Sequence, residues 1–218
     1  NTLSTSLQNL EVEESEEARQ KYLDAAKRGV TRIGMIVQNL ADAASLEDAL
    51  AAEETEVINL YDLAQNYLAN CRITRPDREF KYQGINKGIA TKVSDYRVEQ
   101  LLDKLIDNAI DFSDPGSAIT VGINADAQNL TLFVTNQGPT ISEDMLDSVF
   151  NSMVSIRASN PDNRLHFGMG LYVVRIIAER HGGSVTATNL FDGKGVSIKV
   201  VLPIYRDSNP HQSSIAAS

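Results

Sequence analysis

Cysteine is nearly absent from this sequence: among 218 residues only Cys71 is one. An intrachain disulfide is therefore excluded. The lone thiol lies in the apolar pattern of an expected helix and reads as a small buried hydrophobe, a usage that fits a reducing compartment. Also missing is any apolar run near the roughly 20 residues that span a bilayer. The opening "NTLSTSLQNL" lacks the layout of a secretory signal, and its start at Asn1 fits a piece of a longer protein. Basic charge is in deficit, with 20 Lys and Arg against 29 Asp and Glu and a net charge of −9. A nucleic-acid surface needs clustered Lys and Arg, so that class is excluded. Histidine is scarce and late: His166, His181 and His211 are all there are. What remains is ordinary globular material, 42% hydrophobic and 22% charged, long enough for one large domain and an accessory element.

The first part of the chain reads as helix. Leu23, Ala26, Val30, Ile33, Val37, Leu40 and Ala44 alternate steps of three and four, the seam of a coiled coil or helical bundle. Leu3, Leu7 and Leu10 keep the same spacing. Between them "EVEESEEARQ" reads as a turn and a helix start, with Ser15 as N-cap and acids in the first turn. Two arms with one apolar stripe each form a hairpin that needs a partner. A second copy would complete a four-helix bundle; packing of the hairpin on its own domain is the alternative.

A boundary falls near residue 54. After it the pattern gives a strand from Val57 to Leu60, a helix from Tyr61 to Cys71, and strands around "EFKYQG" and "GIATKV". A long helix follows from about Ser94 to Phe112, with Val98, Leu101, Leu102, Leu105, Ala109 and Phe112 on its apolar face. "AITVGINADAQNLTLFVTNQG" alternates about a polar turn and predicts a β-hairpin. "SEDMLDSVF" predicts a short helix capped by Ser142. Residues 151–167 have no periodicity, and a structureless loop of that length is usually functional. A helix after Gly168 and two strands, "SVTATNL" and "GVSIKVVLPI", close the domain. The polar end "RDSNPHQSSIAAS" predicts disorder. The fold class is α+β: the helical hairpin, then a two-layer sandwich with a mixed, mostly antiparallel sheet covered on one face by helices.

Several positions could carry chemistry. Lys104, Asn108 and Asp111 form a polar stripe at i, i+4 and i+7. For Lys and Asp a solvated flank is the plain reading. Asn108 is harder to dismiss, since Ala or Gln would suit a helix better there; a side-chain carbonyl on a helix can ligate Mg²⁺. Asn136, at a strand end before Gly138-Pro139, fits turn chemistry or the reading of a base edge. Gly168 and Gly170 at the mouth of a helix fit either a tight turn or a place where backbone amides meet phosphate. In the second case Arg157 and Arg164 of the loop would join them.

The order of these pieces is more specific than any one of them. The run "LLDKLIDNAIDFS … VTNQGPTIS … VFNSMVSIR … HFGMGLYVVRIIAERHGG" resembles the ATP-binding domain of sensor histidine kinases, a family shared with gyrase, the Hsp90 chaperones and mismatch-repair ATPases. The resemblance covers about residues 57–205. The preceding hairpin resembles that family's dimerisation and phosphotransfer bundle. The wording of "LLDKLIDNAIDFS" and "FNSMVSIR" also resembles a subgroup attached to a proteobacterial dedicated sortase system. The resemblance implies a bundle over residues 1–53, an ATP-binding domain over 54–206 and a disordered tail over 207–218. It implies Asn108 as Mg²⁺ ligand, Asn136 and Gly138 at the adenine, and Phe150 and Met153 as the aromatic box. Residues 151–167 would be the lid with Arg157 and Arg164 as its cations, and Gly168, Gly170 and Leu171 the last glycine box.

Departures from the family pattern are equally specific. Lys104 holds the place of an asparagine, Asp111 that of a lysine, Asn136 that of the adenine-reading aspartate, and Thr140 that of a glycine. Asp111 beside a triphosphate is repelled unless Mg²⁺ or Lys104 offsets it, and a neutral Asn136 is a weaker acceptor than a carboxylate. The implied function is the cytoplasmic catalytic part of an inner-membrane sensor histidine kinase. It would transfer the γ-phosphoryl of Mg-ATP to a histidine upstream of residue 1, then to an aspartate of a response regulator. The implied assembly is a homodimer through residues 1–53, meeting the membrane only through parts outside this sequence. The alternative is a pseudokinase, a dimeric signalling module with a degenerate nucleotide site.

Overall fold

The computed structural model describes residues 5, 15–27, 29, 30, 33, 34, 37, 53–151 and 170–206. In the N-terminal part, residues 16–27 form helix α1, and residues 29, 30, 33, 34 and 37 are helical too. Ser15 starts α1 as expected: its Oγ accepts from the Ala18 N–H at 3.5 Å and its carbonyl from the Arg19 N–H at 2.9 Å. The Ala18 amide would otherwise lack a partner at a helix start, whereas the Arg19 bond is the first regular rung of the helix. Along the seam Ala26 is buried, whereas Leu23, Val30, Ile33 and Val37 are exposed, Val30 at 62%. Leu3, Leu7, Leu10, Leu40, Ala44 and the turn between the arms lie outside the described residues. So do residues 152–169, with Met153, Arg157, Arg164, His166 and Gly168, and the tail 207–218 with His211.

From Glu56 onward the elements run β1 (Glu56–Asn59), α2 (Leu60–Thr74), β2 (Phe80–Gly84), β3 (Ala90–Val93), α3 (Asp95–Asp111), β4 (Ile119–Ala125) and β5 (Asn129–Gln137). After two single 3-10 turns come α4 (Gly170–Arg180), β6 (Ser184–Asn189) and β7 (Gly195–Pro203). Two helices start where a short polar side chain replaces the missing backbone acceptor. Asn59 accepts from the Tyr61 and Asp62 amides ahead of α2, and Ser94 from the Arg97 amide ahead of α3.

One expectation fails. The segment 142–150 is not a capped helix but the two 3-10 turns, Glu143–Met145 and Ser148–Phe150, and Ser142 makes no side-chain cap bond. The chain here must put Val149 and Phe150 into the core soon after Ile141 is fastened at the sheet. Tighter i→i+3 turns do this, with Met145 N–H donating to Ser142 O at 2.9 Å.

The main sheet has the order β2-β4-β5-β7-β6; β2 and β4 run parallel and the other pairs antiparallel. β1 and β3 form a separate antiparallel pair, which the pattern of short strands did not foretell. One face of the main sheet is apolar by strict alternation: Leu130, Leu132 and Val134 on β5, Val196, Ile198, Val200 and Leu202 on β7. Helices α2, α3 and α4 contribute to the same core. Each fully buried Leu or Ile adds on the order of 2 kcal/mol, and a dozen large side chains are almost wholly buried.

α3 is the central helix. Val98, Leu101, Leu102, Leu105, Ile106 and Ala109 are its buried stripe, and it packs on α2, α4, β4 and β5. Its acidic flank is fastened to α2: the Tyr67 hydroxyl donates to Asp103, and Arg75 pairs with Asp107 at 2.7 Å. Burial, together with Asp103, pushes the Tyr67 phenol far above its ordinary pKa, so it stays a donor. Cys71 is buried on α2, and burial raises its thiol too; it is a packing residue, as expected.

Candidate functional site

α3 and α4 lie so that the start of one meets the end of the other. The Ser94 N–H, at the head of α3, donates to Nε2 of His181, just past the end of α4, at 3.0 Å. The opposite ends, the C-terminus of α3 and the N-terminus of α4, therefore share the other side of the helix layer. A 17-residue helix spans about 25 Å. Lys104, Asn108 and Asp111 lie on the second half of α3, each half-buried. By helical spacing Asn108 borders the apolar stripe, while Asp103 and Asp107 occupy the flank that α2 holds.

The end of β5 is fastened to the end of α3. Residues 130, 132, 134 and 136 share one face, so Asn136 enters the core layer and is 6% exposed. Its Nδ2 donates to the carbonyls of Phe112 at 3.2 Å and Gln137 at 3.3 Å. Two carbonyls can be matched only by the NH₂ end of the amide, so its orientation is chemically determined. Phe112 is the C-cap of α3, where carbonyls lack helical partners, and Asn136 supplies one a donor from the sheet. The Asp114 N–H adds a bond to Gln137 O at 2.8 Å.

Gly138 follows with φ 150°, and a Cβ there would lie 2.1 Å from Phe112 O. Only glycine lets the β5 end come this close to α3. Its N–H donates to Lys194 O at 3.2 Å, linking the turn to the β6–β7 hairpin.

Two positions that sequence reasoning missed hold the neighbouring chain. Asn189, last in β6, donates from Nδ2 to Ile141 O at 2.7 Å and accepts from Ile141 N–H at 2.9 Å. Its amide thereby imitates a backbone rung. Arg175 on α4 donates to Asn151 Oδ1 at 2.9 Å and is ion-paired to Glu179 at 2.8 Å. The signal available for Asn189 was its place at a strand end before the turn "LFDGK".

α4 is described from Gly170, with Leu171 half-buried near its start; the expected start at Gly168 lies outside the described residues. A Cβ on Gly170 would meet nothing within 4 Å. Unlike Gly138, then, Gly170 answers to no close contact among the described residues. The structure thus brings Asn108, Asp111, Asn136 and Gly138 to the α3–β5 junction and sets Gly170 and Leu171 at the same end of the helix layer. Lys104 lies one turn further back. Phe150 is a core residue against α4. Arg157, Arg164 and Gly168 lie outside the described residues.

Among the described residues, no three or more His, Cys, Asp or Glu are grouped to hold a metal ion. No described helix is long and apolar enough to cross a membrane.

Known proteins share this fold. The sensor protein ChvG of Rhizobium meliloti (strain 1021) is 25% identical over 221 residues, 96% of this chain but 38% of that protein. The chain thus spans well under half the length of this relative. The nucleotide-free catalytic domain of histidine kinase ThkA superposes with a TM-score of 0.59 at 22% identity, over 70% of this chain and 99% of that one. Full-length ShkA, in complex with AMPPNP, gives 0.63 at 18% identity, over 96% of this chain and 43% of that one. At such identities these likenesses concern the fold. Residues 94–206 match the model of the family described as Histidine kinase-, DNA gyrase B-, and HSP90-like ATPase, which begins at the cap of α3 and ends just past β7, and to that family the chain belongs.

Proposed function

We propose that this chain binds Mg-ATP at the shared end of α3 and α4 and acts as the ATPase domain of a protein-histidine kinase. The γ-phosphoryl would pass to a histidine and then to an aspartate of a response-regulator receiver domain. Gly170 carries the reading: it is a glycine at the described start of α4 whose missing side chain serves no contact among the described residues. A helix start offers amide donors and the positive end of the helix dipole to an anion. Gly168, Arg157 and Arg164 would add donors from the preceding segment.

The residues present fit the nucleotide and its metal. Magnesium usually takes one or two protein oxygens and completes its shell with phosphates and water, and Asn108 offers one such oxygen on a fixed helix. When bound, Mg²⁺ would neutralise charge on the phosphates. With Nδ2 committed to Phe112, Asn136 would turn Oδ1 to accept from the adenine amino group. Lys104 would supply the cation that Asp111 does not. Asp111 works against phosphate unless the metal or Lys104 offsets it.

The exposed seam positions Leu23, Val30, Ile33 and Val37 support pairing with a second copy through residues 1–53. The sensor relatives support a place on the cytoplasmic side of an inner membrane, reached through segments beyond this sequence. His181 is unsuited as acceptor, since both ring nitrogens are engaged. A pseudokinase reading is favoured by Lys104, Asp111 and Asn136 together.

Calorimetric titration with a non-hydrolysable ATP analogue, with and without Mg²⁺, decides between the two. Magnesium-dependent binding supports the kinase reading; no binding at millimolar ligand supports the other. Gly170→Ala sharpens the test, because alanine is the better helix former by up to about 1 kcal/mol. The variant should be at least as stable as wild type yet bind nucleotide roughly tenfold more weakly, about 1.4 kcal/mol. Unchanged affinity would remove the phosphate site from Gly170. Lys104→Ala should also weaken binding, and an unaltered titration curve would return Lys104 to a solvated flank.

A further inference from the structure

Ser94 is 6% exposed, and its polar groups are engaged by three parts of the chain. Its N–H donates to His181 Nε2 at 3.0 Å. Its Oγ accepts from the Arg97 N–H at 3.4 Å and donates to Glu53 Oε1 at 3.0 Å. The other Glu53 oxygen takes Arg97 Nε at 2.5 Å. Arg97 also donates to Gln100 Oε1 at 2.9 Å and lies 5.2 Å from the centre of the Tyr96 ring. His181 Nδ1 meets the carbonyl of Ile177 at 2.7 Å. A carbonyl only accepts, so the proton is on Nδ1 and the neutral ring accepts from Ser94.

Glu53 stands ahead of β1, outside residues 94–206 of the family match. Its pair with Arg97 is the driest ion pair among the described residues, at 12% and 23% side-chain exposure. Burial alone would raise the Glu53 carboxyl; hydrogen bonds from Arg97 and Ser94, together with the nearby positive charge of Arg97, outweigh it and hold the pKa below its usual value. Undocking Glu53 would leave Arg97 and the Ser94 hydroxyl without this acceptor in a half-dry site, so the contact is either made well or lost as a unit. The carboxylate also lies at the positive end of α3.

The same cluster joins the head of α3 to the tail of α4, and the opposite ends of those two helices hold the residues proposed for nucleotide. We propose that Glu53 is a latch through which the segment preceding the ATPase domain and the nucleotide site influence each other. With the latch closed, the α3–α4 pair keeps the arrangement that takes nucleotide; bound nucleotide in turn holds residues 53–56 docked. Such coupling is reciprocal by necessity. Glu53 is a positioning residue, and its role rests on the nucleotide reading above.

The test uses the full 218-residue chain and Mg²⁺ with AMPPNP. Affinity is measured by calorimetry, and amide exchange over residues 53–59 by mass spectrometry, for wild type, Glu53→Ala, Glu53→Gln and Glu54→Ala. Glu54 is exposed, so its loss controls for charge alone. Glu53→Ala should weaken nucleotide binding roughly fivefold, at the low end of ordinary coupling, with Glu53→Gln between it and wild type. Nucleotide should slow exchange at residues 55–58 in wild type and in Glu54→Ala but not in Glu53→Ala. Glu53→Gln, which keeps the shape, carries the test if Glu53→Ala melts early. Wild-type binding with no loss in either Glu53 variant, and exchange indifferent to nucleotide, overturns the latch alone. A wild-type chain that binds no nucleotide overturns both the latch and the nucleotide reading.

Discussion

Gly138→Ala should be strongly damaging to the ATPase domain, lowering stability by about 3 kcal/mol or more. Two costs combine. The backbone has φ 150°, a region that an L side chain rarely adopts. The new Cβ would also sit 2.1 Å from Phe112 O, and a backbone carbonyl cannot swing aside as a side chain can. Relief would require shifting the end of β5 or of α3. Both are held, by Gly138 N–H to Lys194 O and by Asp114 N–H to Gln137 O. Urea denaturation measures the effect, with Gly116→Ala as reference. That glycine has φ 75° but open space around its Cβ position, so it should lose only about 1 kcal/mol. If Gly138→Ala costs no more than Gly116→Ala, the close approach of β5 to α3 is not a constraint.

Asn136→Asp installs the aspartate that the family resemblance implies at this position, and it should nevertheless make this protein worse. The amide donates to the carbonyls of Phe112 and Gln137 at 3.2 and 3.3 Å. A carboxylate there has no proton to give and turns an oxygen toward both, in a position 6% exposed. A buried group facing mismatched partners loses about 1–3 kcal/mol, more when charged. A loss of about 3 kcal/mol near neutral pH is expected, with nucleotide binding no tighter than in wild type. The pH dependence has a definite sign. A protonated carboxyl can still donate to Phe112 O, so the native state favours the protonated form and raises this group's pKa above its unfolded value. The gap to wild type is therefore smallest in acid and widens as pH rises through the carboxylate range. Equal stability at all pH values, or tighter nucleotide binding by Asn136→Asp, would overturn this account of the β5–α3 junction.

Much of this was legible locally. The stripe from Val98 to Ala109 identified α3, alternation identified β4, β5 and β7, and Ser15 could be read as a cap from one short side chain before an acidic turn. Asn136 was half-legible. Its place at a strand end was plain, but it is also fourth in the series Leu130, Leu132, Val134, Asn136, and that alternation aims it into the core. Its partner could not be read, because a backbone carbonyl at Phe112, 24 positions away, has no signature in side-chain type. The same holds for Glu53, whose acidic surroundings look like a solvated boundary until folding brings Ser94 and Arg97 to it. The segment 142–150 was misread because a helix pattern says nothing of the Asn189 tether that fixes its entry. Pairing of β2 parallel to β4, and of β1 with β3, is likewise a matter of topology.

That tether also bears on how quickly a ligand could be captured. Because the Asn189 amide replaces a missing rung at Ile141, the turn between Gly138 and Ile141 is ordered along with the sheet. Its conformational entropy is lost once, during folding, and not at each encounter. A base edge arriving there would meet a formed surface, so this turn adds no ordering step of its own to association. Cutting the tether would move that ordering into the binding event and show itself in the on-rate first.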